Sequence, residues 1–276
     1  MHLKKLSGIL FFLSFLIALS AQQPFKLHWQ QEKIAPGLYW QYIHTEQLYE
    51  SEQSINVLKV NTKKRQLALA FVSDTLLRTS ELAINNGAIA AVNAGFFKIR
   101  EGKGSSTYIK VKGKTIEDIP TQGHELLKGA LIIVNDGDLA IEYAQPNEVY
   151  NTSQTDETVL VTGPILILNN IKEVLTNNAF NANRHPRTCA CILSKNKILL
   201  VTVDGRHMEA AGMTLFELTD LMKSFKCKAA INLDGGGSTT MWIKGKPSNG
   251  VVNYPSDNKQ FDHFGERACA NAVVIK

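Results

Sequence analysis

The chain lacks what several common functions depend on. Its four cysteines, Cys189, Cys191, Cys227 and Cys269, form no C-x-x-C pair and no zinc-ligand spacing. No H-x-H or D-x-H cluster gathers the ligands expected of a metal-dependent phosphodiesterase. A formal net charge of +5, with no basic run, is too mild for a nucleic-acid binder. No G-K-[ST] and no G-x-G-x-x-G frame occurs, which argues against nucleotide-binding loops. Beyond residue 19 no apolar stretch is long enough to span a bilayer. Internal repeats, low-complexity segments and linkers are absent as well.

What is present is an ordinary globular composition, 44% hydrophobic and 20% charged over 276 residues. That suffices for one large domain or two small ones. The first residues, MHLKKLSGILFFLSFLIALSAQQ, have the anatomy of a secretory signal. Lys4 and Lys5 are basic, Leu6–Leu19 are apolar, and Ala18-Leu19-Ser20-Ala21 form a small-residue end. The expectation is an exported protein, periplasmic or extracellular, that loses residues 1–21, carries a mature charge of +3 and keeps no membrane insertion. Export permits disulfides, and four cysteines allow three pairings. Cys189 and Cys191 alternate along a strand and share a face, and burial as small hydrophobes is the competing expectation for the cysteines.

Apolar and β-branched runs recur at 54–61, 66–72, 88–97, 130–136, 159–168, 187–194, 197–205, 229–234, 239–245 and 270–276, and each reads as a strand. The polar turns NDGD (135–138) and SKNK (194–197) suggest hairpins. One helix is expected over 214–225, where Thr214 and Glu217 have capping-box spacing and Leu218, Leu221, Met222 and Phe225 share a face. A shorter one over 80–86 ends at Gly87. The segment 144–158 is the most loop-like of the interior. Strands outnumber helices without alternating with them, so the expected fold is a single α+β domain. Its core would be a large mixed or mostly antiparallel sheet with a few packed helices. Residues 22–79 would be a strand-rich part of that domain or a small accessory region, and 80–276 the main domain.

The stretch AAINLDGGGSTTMW (229–242) sets one carboxylate, Asp234, before three glycines. Glycine is costly to order, so a triplet implies backbone that something approaches closely. The apolar and aromatic residues that follow predict a tight strand-to-strand connection. Its N–H groups could line an anion-binding concavity. A plain hairpin turn with Asp234 bonded to its own backbone accounts for Asp-Gly equally well, and the third glycine and Ser238 favour a site. Other polar groups also stand at strand ends: Asn93, Asp204, Arg206, Arg187 and Arg267. Singly, each is an ordinary loop residue; converging at one rim, the arginines would bind phosphate or carboxylate.

NAGFF (93–97), HPRT (185–188), VDGR (203–206), GMTLFELTDLM (212–222), INLDGGGSTTM (231–241) and ERACANAVVI (266–275) occur in this order. With them the chain resembles the phosphodiester glycosidase family over roughly residues 88–276. The resemblance implies hydrolysis of a sugar-1-phosphodiester or glycan phosphodiester at the anomeric carbon. It puts the family's polar positions on Asn93, Arg187, Asp204, Arg206, Asn232, Asp234, Ser238 and Arg267. Cys189-Ala190-Cys191 departs from the small residues expected there.

That inventory suits the chemistry. A glycosidase with an alcohol leaving group needs an acid to protonate it. A phosphate leaving group titrates near a pKa of about 6, against about 15.7 for water, and needs charge stabilisation instead. The expected roles follow. Asp234 acts at the anomeric carbon as nucleophile, base or electrostatic partner. Arg187, Arg206 and Arg267 hold phosphate, Gly235, Gly236, Gly237 and Ser238 approach the substrate, and Asp204, Asn93 and Asn232 orient groups. No cofactor is expected, since no ligand spacing supports a divalent ion at Asp204 or Asp234. The competing readings are a phosphodiesterase that breaks the P–O bond and a sugar-phosphate binding module without turnover.

Overall fold

The computed structural model describes residues 27–120, 124, 126–134, 137–155 and 157–276. The signal-like segment lies outside the described residues. Three antiparallel sheets carry the fold. The largest runs in the order Gln30–Ala35, Leu38–Leu48, Ser51–Asn61, Lys197–Val203, Arg187–Ser194, Ala229–Asn232, Ile165–Leu168, Ile171–Lys172. A five-stranded sheet runs Leu139–Tyr143, Gly129–Ile133, Thr158–Thr162, Ile109–Val111, Lys114–Glu117. A four-stranded sheet runs Met241–Ile243, Ala90–Asn93, Asn271–Ile275, Leu67–Phe71.

Side-chain alternation explains how the sheets stack. Along Ser51–Asn61, Leu58 and Val60 face a core shared by all three sheets, with Leu131, Leu160, Val92 and Val273 opposite. Ile55 and Val57 point the other way, beneath the helix Leu215–Ser224. A strand buried on both faces is apolar on both, and here Ile55 and Val57 serve one face and Leu58 and Val60 the other, with Asn56 buried among them. The helix turns Leu215, Leu218, Leu221 and Met222 onto that sheet. Each such side chain stabilises the fold by roughly 1.5–3 kcal/mol when fully buried. Its capping box forms: Glu217 N donates to Thr214 Oγ1 at 3.1 Å and Thr214 N to Glu217 Oε2 at 2.9 Å. The helix Thr79–Asn85 buries Leu82 and Ala83 against the outer face of the four-stranded sheet.

The α+β expectation holds, and every strand pairing is antiparallel. Three local expectations need correction. The run 159–168 is two strands in different sheets, Thr158–Thr162 and Ile165–Leu168, parted at Gly163-Pro164. The segment 144–158 contains a helix, Asn147–Thr152, whose Tyr150 packs on the five-stranded sheet. Gln30–Ala35, at the sheet edge, and Leu38–Leu48, next to it, escape the apolar pattern because much of their surface is open. Of the cysteines, Cys191 and Cys227 form a disulfide that ties a central strand to the end of the 215–224 helix, while Cys189 and Cys269 are buried thiols.

Candidate active site

Antiparallel register gathers the site. Arg187 pairs with Val203, so Asp204-Gly205-Arg206 leaves its strand beside Pro186. Cys189 pairs with Asn232, and Leu233 N then donates to Thr188 O at 2.8 Å, so Asp234 emerges next to the same strand. The four-stranded sheet meets this edge through Asp234 N, which donates to Ala94 O at 2.7 Å. Asn93 completes the join, with Nδ2 on Asp234 O at 2.6 Å.

The glycine triplet is not a hairpin. It joins Ala229–Asn232 of one sheet to Met241–Ile243 of another through a short 3-10 turn, Gly236–Ser238. Each glycine has a separate reason. A β-carbon on Gly235 would lie 2.7 Å from Pro186 O. On Gly236, at φ +62°, it would lie 2.9 Å from the Arg206 guanidinium. On Gly237 it would meet the Arg267 guanidinium at 2.5 Å and Asp257 Oδ1 at 2.6 Å. The missing side chains therefore let two guanidinium groups lie against the backbone beside Asp234. The triplet does not offer the expected row of free N–H donors. Gly235 N donates to Asp234 Oδ1 at 2.9 Å and Gly236 N to Pro186 O at 2.8 Å, which leaves Gly237 N alone of the three without a bond among the described residues. The cationic lining comes from side chains.

Asp234 keeps part of its surface open, yet its surroundings are dense enough that burial pushes its pKa up to about 6. The nearby Ser238 hydroxyl, the Gly235 N–H, Arg267 and Arg206 each offset part of that rise. Among the described residues the Ser238 hydroxyl makes no hydrogen bond of ordinary geometry. Asp234 is thus a desolvated carboxylate faced by two cations. Arg267 is held by Asp257, whose Oδ1 accepts from Arg267 Nε at 2.8 Å. Arg206 is exposed, sits at φ +65° and makes no ion pair among the described residues.

Arg187 is buried with no carboxylate partner among the described residues. Its Nε donates to Met213 O at 2.9 Å, its Nη2 to Phe180 O at 2.6 Å and Asn183 O at 2.9 Å, and its guanidinium lies 5.0 Å from the Phe180 ring centre. Burial, helped by the Arg206 charge, brings its pKa down to about 10. Its Nη1 makes no hydrogen bond among the described residues.

The other candidates turn inward. Asp204 is buried and accepts from Ser54 Oγ at 2.6 Å, Asn253 Nδ2 at 2.8 Å and Tyr254 N at 2.9 Å. Burial raises its pKa and those hydrogen bonds oppose the rise. Asn93 Oδ1 is spent on Thr188 Oγ1 at 2.7 Å and Thr240 N at 3.1 Å. Asn232 Nδ2 bonds Gly163 O at 2.9 Å and Leu233 O at 2.7 Å. Through these bonds Asp204 and Asn93 hold the segments that carry Arg206 and Asp234, and Asn232 holds the turn at Gly163.

Two residues enter the site that the strand-end pattern does not single out. Asp257 orients Arg267, and no local signal distinguishes it from other turn aspartates. His185, in the HPRT stretch, is half-buried, and burial together with Arg187 and Arg206 lowers its pKa. Among the described residues no group of three or more His, Cys, Asp or Glu could hold a metal ion.

Comparison with known proteins bears on the family and the fold. The sequence profile of the phosphodiester glycosidase family matches residues 86–276. The N-acetylglucosamine-1-phosphodiester alpha-N-acetylglucosaminidase of Bos taurus is 27% identical over 195 residues, covering 65% of this chain and 35% of that protein. The SPbeta prophage-derived protein YomE of Bacillus subtilis is 31% identical over 94 residues, 29% of this chain and 15% of that one. The chain thus spans about a third or less of the length of these relatives. The catalytic domain of the zebrafish N-acetylglucosamine-1-phosphodiester alpha-N-acetylglucosaminidase shares the fold at a TM-score of 0.67 and 18% identity, covering 92% of this chain and 84% of that one. A Synechocystis protein does so at a TM-score of 0.65 and 13% identity, covering 92% of this chain and 64% of that one.

Proposed function

The chain belongs to the phosphodiester glycosidase family, and from that premise we propose that it hydrolyses sugar-1-phosphodiesters at the anomeric C–O bond. Water adds to the anomeric carbon, the C–O bond to phosphate breaks, and a free sugar of the N-acetylglucosamine type and a phosphomonoester leave. The observation that carries this reading is the placing of Arg206 and Arg267 against side-chain-free backbone next to the carboxylate of Asp234.

The charge pattern favours this bond over P–O. Positive charge develops at the anomeric carbon in the transition state, where a carboxylate stabilises it. Negative charge grows on the departing phosphate, where guanidinium groups stabilise it. Attack at phosphorus would instead bring a nucleophile past Asp234 toward an anionic centre. Asp234 serves as nucleophile or as the base that activates water, and the two routes give opposite anomers of the released sugar. Asp204, Asn93, Asn232 and Asp257 act as positioning residues. Arg187 braces the HPRT strand with its carbonyl bonds and keeps one amino group for the phosphate side. The Cys191–Cys227 disulfide supports export to an oxidising compartment.

Hydrolysis in ¹⁸O-labelled water tests the assignment. Label on the sugar's anomeric oxygen is expected, and label on the phosphate would overturn it in favour of P–O cleavage. Binding of the diester with no turnover would make the protein a sugar-phosphate binding module.

A further inference from the structure

Strand Leu67–Phe71 closes one side of the four-stranded sheet, and beside it runs a groove of about 730 Å³. The register with Asn271–Ile275 decides which backbone groups the strand spends. Gln66 and Lys276 bond each other both ways, at 3.2 and 2.9 Å, and Val72 N donates to Ala270 O at 2.8 Å. Bonded positions alternate along an antiparallel pair, so Ala68 and Ala70 also turn their N–H and C=O toward Asn271–Ile275. Leu67, Leu69 and Phe71 turn theirs to the groove, where they have no partner among the described residues. Leu67 and Leu69 are only 2% and 5% exposed, so this edge is recessed.

Exposed sheet edges are ordinarily blunted by charge, proline, a bulge or cover. Gln30–Ala35, Lys114–Glu117, Leu139–Tyr143 and Ile171–Lys172 each carry a charged side chain, and Met241–Ile243 is bridged by Val251. Leu67–Phe71 reads LALAF and has no such device. Its protection is the recess, whose facing wall is made by strand ends of the five-stranded sheet at Val111, Ile133 and Thr158. Another sheet cannot reach into the groove, and a second copy would bring an equally recessed edge. A single extended segment can enter. At one end Gly137 already lies close, since a β-carbon on it would sit 3.9 Å from Leu67 N. Leu69 and Phe71 therefore remain as the pairing positions.

We propose that this groove docks an extended segment of a partner polypeptide, which adds a strand to the sheet opposite Leu69 and Phe71. Side chains directly opposite each other share a face. Residues facing Leu69 and Phe71 thus point toward Val111 and Ile133 and are apolar. The residues between them share the face of Ala68, Ala70 and Lys276. Among the described lining the charged side chains are Lys112 and Lys276, with no Asp or Glu, so those intervening residues are acidic. Asn271–Ile275 separates this edge from Ala90–Asn93, and the occupant leaves the Asp234 cleft open whatever reaction takes place there.

The probe is acetyl-Val-Glu-Val-Glu-Val-amide, added to the full chain and followed by amide hydrogen exchange and by anisotropy of a fluorescent copy. Binding should slow exchange at Leu69 and Phe71 about tenfold or more and leave the already bonded Ala68 and Ala70 unchanged. Lysines in place of the peptide's glutamates should weaken binding about tenfold, and Lys276→Glu, at an exposed position, about threefold or more. Phe71→Pro removes one groove-facing N–H and no bond to Asn271–Ile275, so it should also weaken binding. Should that variant fail to fold, a peptide N-methylated at its valines carries the same test. Absence of binding, protection confined to other residues, or equal binding of the N-methylated peptide overturns the site. Protection of Leu69 and Phe71 that grows with protein concentration in the absence of peptide would assign the edge to a second copy and overturn the proposal as well.

Discussion

Gly237 lies so close to Arg267 that a β-carbon on the glycine would sit 2.5 Å from Nη2 of the arginine. Gly237→Ala must therefore push the guanidinium and its Asp257 partner aside. The ion pair is partly exposed and contributes little to stability. The expected outcome is a loss of about tenfold or more in kcat/KM with a melting shift of a few degrees at most. Gly236→Ala adds about 1–2 kcal/mol of left-handed backbone strain, so its melting temperature should fall further. Thermal melts and steady-state kinetics on the two variants check both statements.

Asp234→Asn should abolish turnover and stabilise the protein. The pKa of Asp234 is raised from 3.8 to about 6, so between those values the native state holds a proton that the unfolded chain releases. Stability contributed by this group is present below pH 3.8, is lost as pH rises through about 6, and stays lost above. Removing the charge should return roughly 1–3 kcal/mol at pH 7.5. Melting curves should show almost no advantage for the variant below pH 3.8, about half of it at pH 5 and the full effect at pH 7.5.

The same titration predicts the rate profile. The reaction needs the carboxylate, so kcat/KM should rise about tenfold per pH unit below 6 and level above it. His185 titrates below its ordinary value, so the assignment requires His185→Gln to keep the acid limb. Loss of the limb in that variant would move the essential ionisation to the histidine.

The arginines should separate by burial. Arg206→Lys keeps the charge of an exposed side chain without the bidentate fork, so activity should fall with no change in melting temperature. Arg187→Lys strips a buried guanidinium of carbonyl bonds at Met213, Phe180 and Asn183. It should lower stability by about 2–4 kcal/mol as well as activity, since bonds to charged groups contribute about 1.5–3 kcal/mol each. Denaturant melts of the two variants tell these outcomes apart.

Turnover should survive exhaustive treatment with EDTA. Inactivation reversed by a single divalent ion would assign a metal role to Asp204 or Asp234.

Much of this was legible in the residues, and the rest was hidden for physical reasons. The helix 215–224 was readable because its capping box and apolar face are both local patterns. Asp234 and the glycines stood out because ordered glycine needs a cause. That the cause is Arg206 over Gly236 and Arg267 over Gly237 could not be read, since those contacts join distant segments across two sheets. Asn93 and Asn232 look like ligand-facing amides at strand ends, and only the closed structure shows their hydrogen bonds spent on Asp234 O, Gly163 O and Leu233 O. Strand Leu38–Leu48 was missed because only Leu38 and Ile43 are buried along it, too few and too unevenly spaced to give an alternating apolar pattern.

Strand Asn271–Ile275 lies between Ala90–Asn93 and Leu67–Phe71. It is synthesised after every other strand described, yet it sits inside its sheet. On a growing chain Asn93 therefore lacks its neighbour, and the sheet that holds the Asp234 loop by Asn93 and Ala94 stays incomplete. Such long-range closure is slow relative to local helix formation. The sheet that carries the Asp234 loop is therefore completed only when residues 271–275 have joined it.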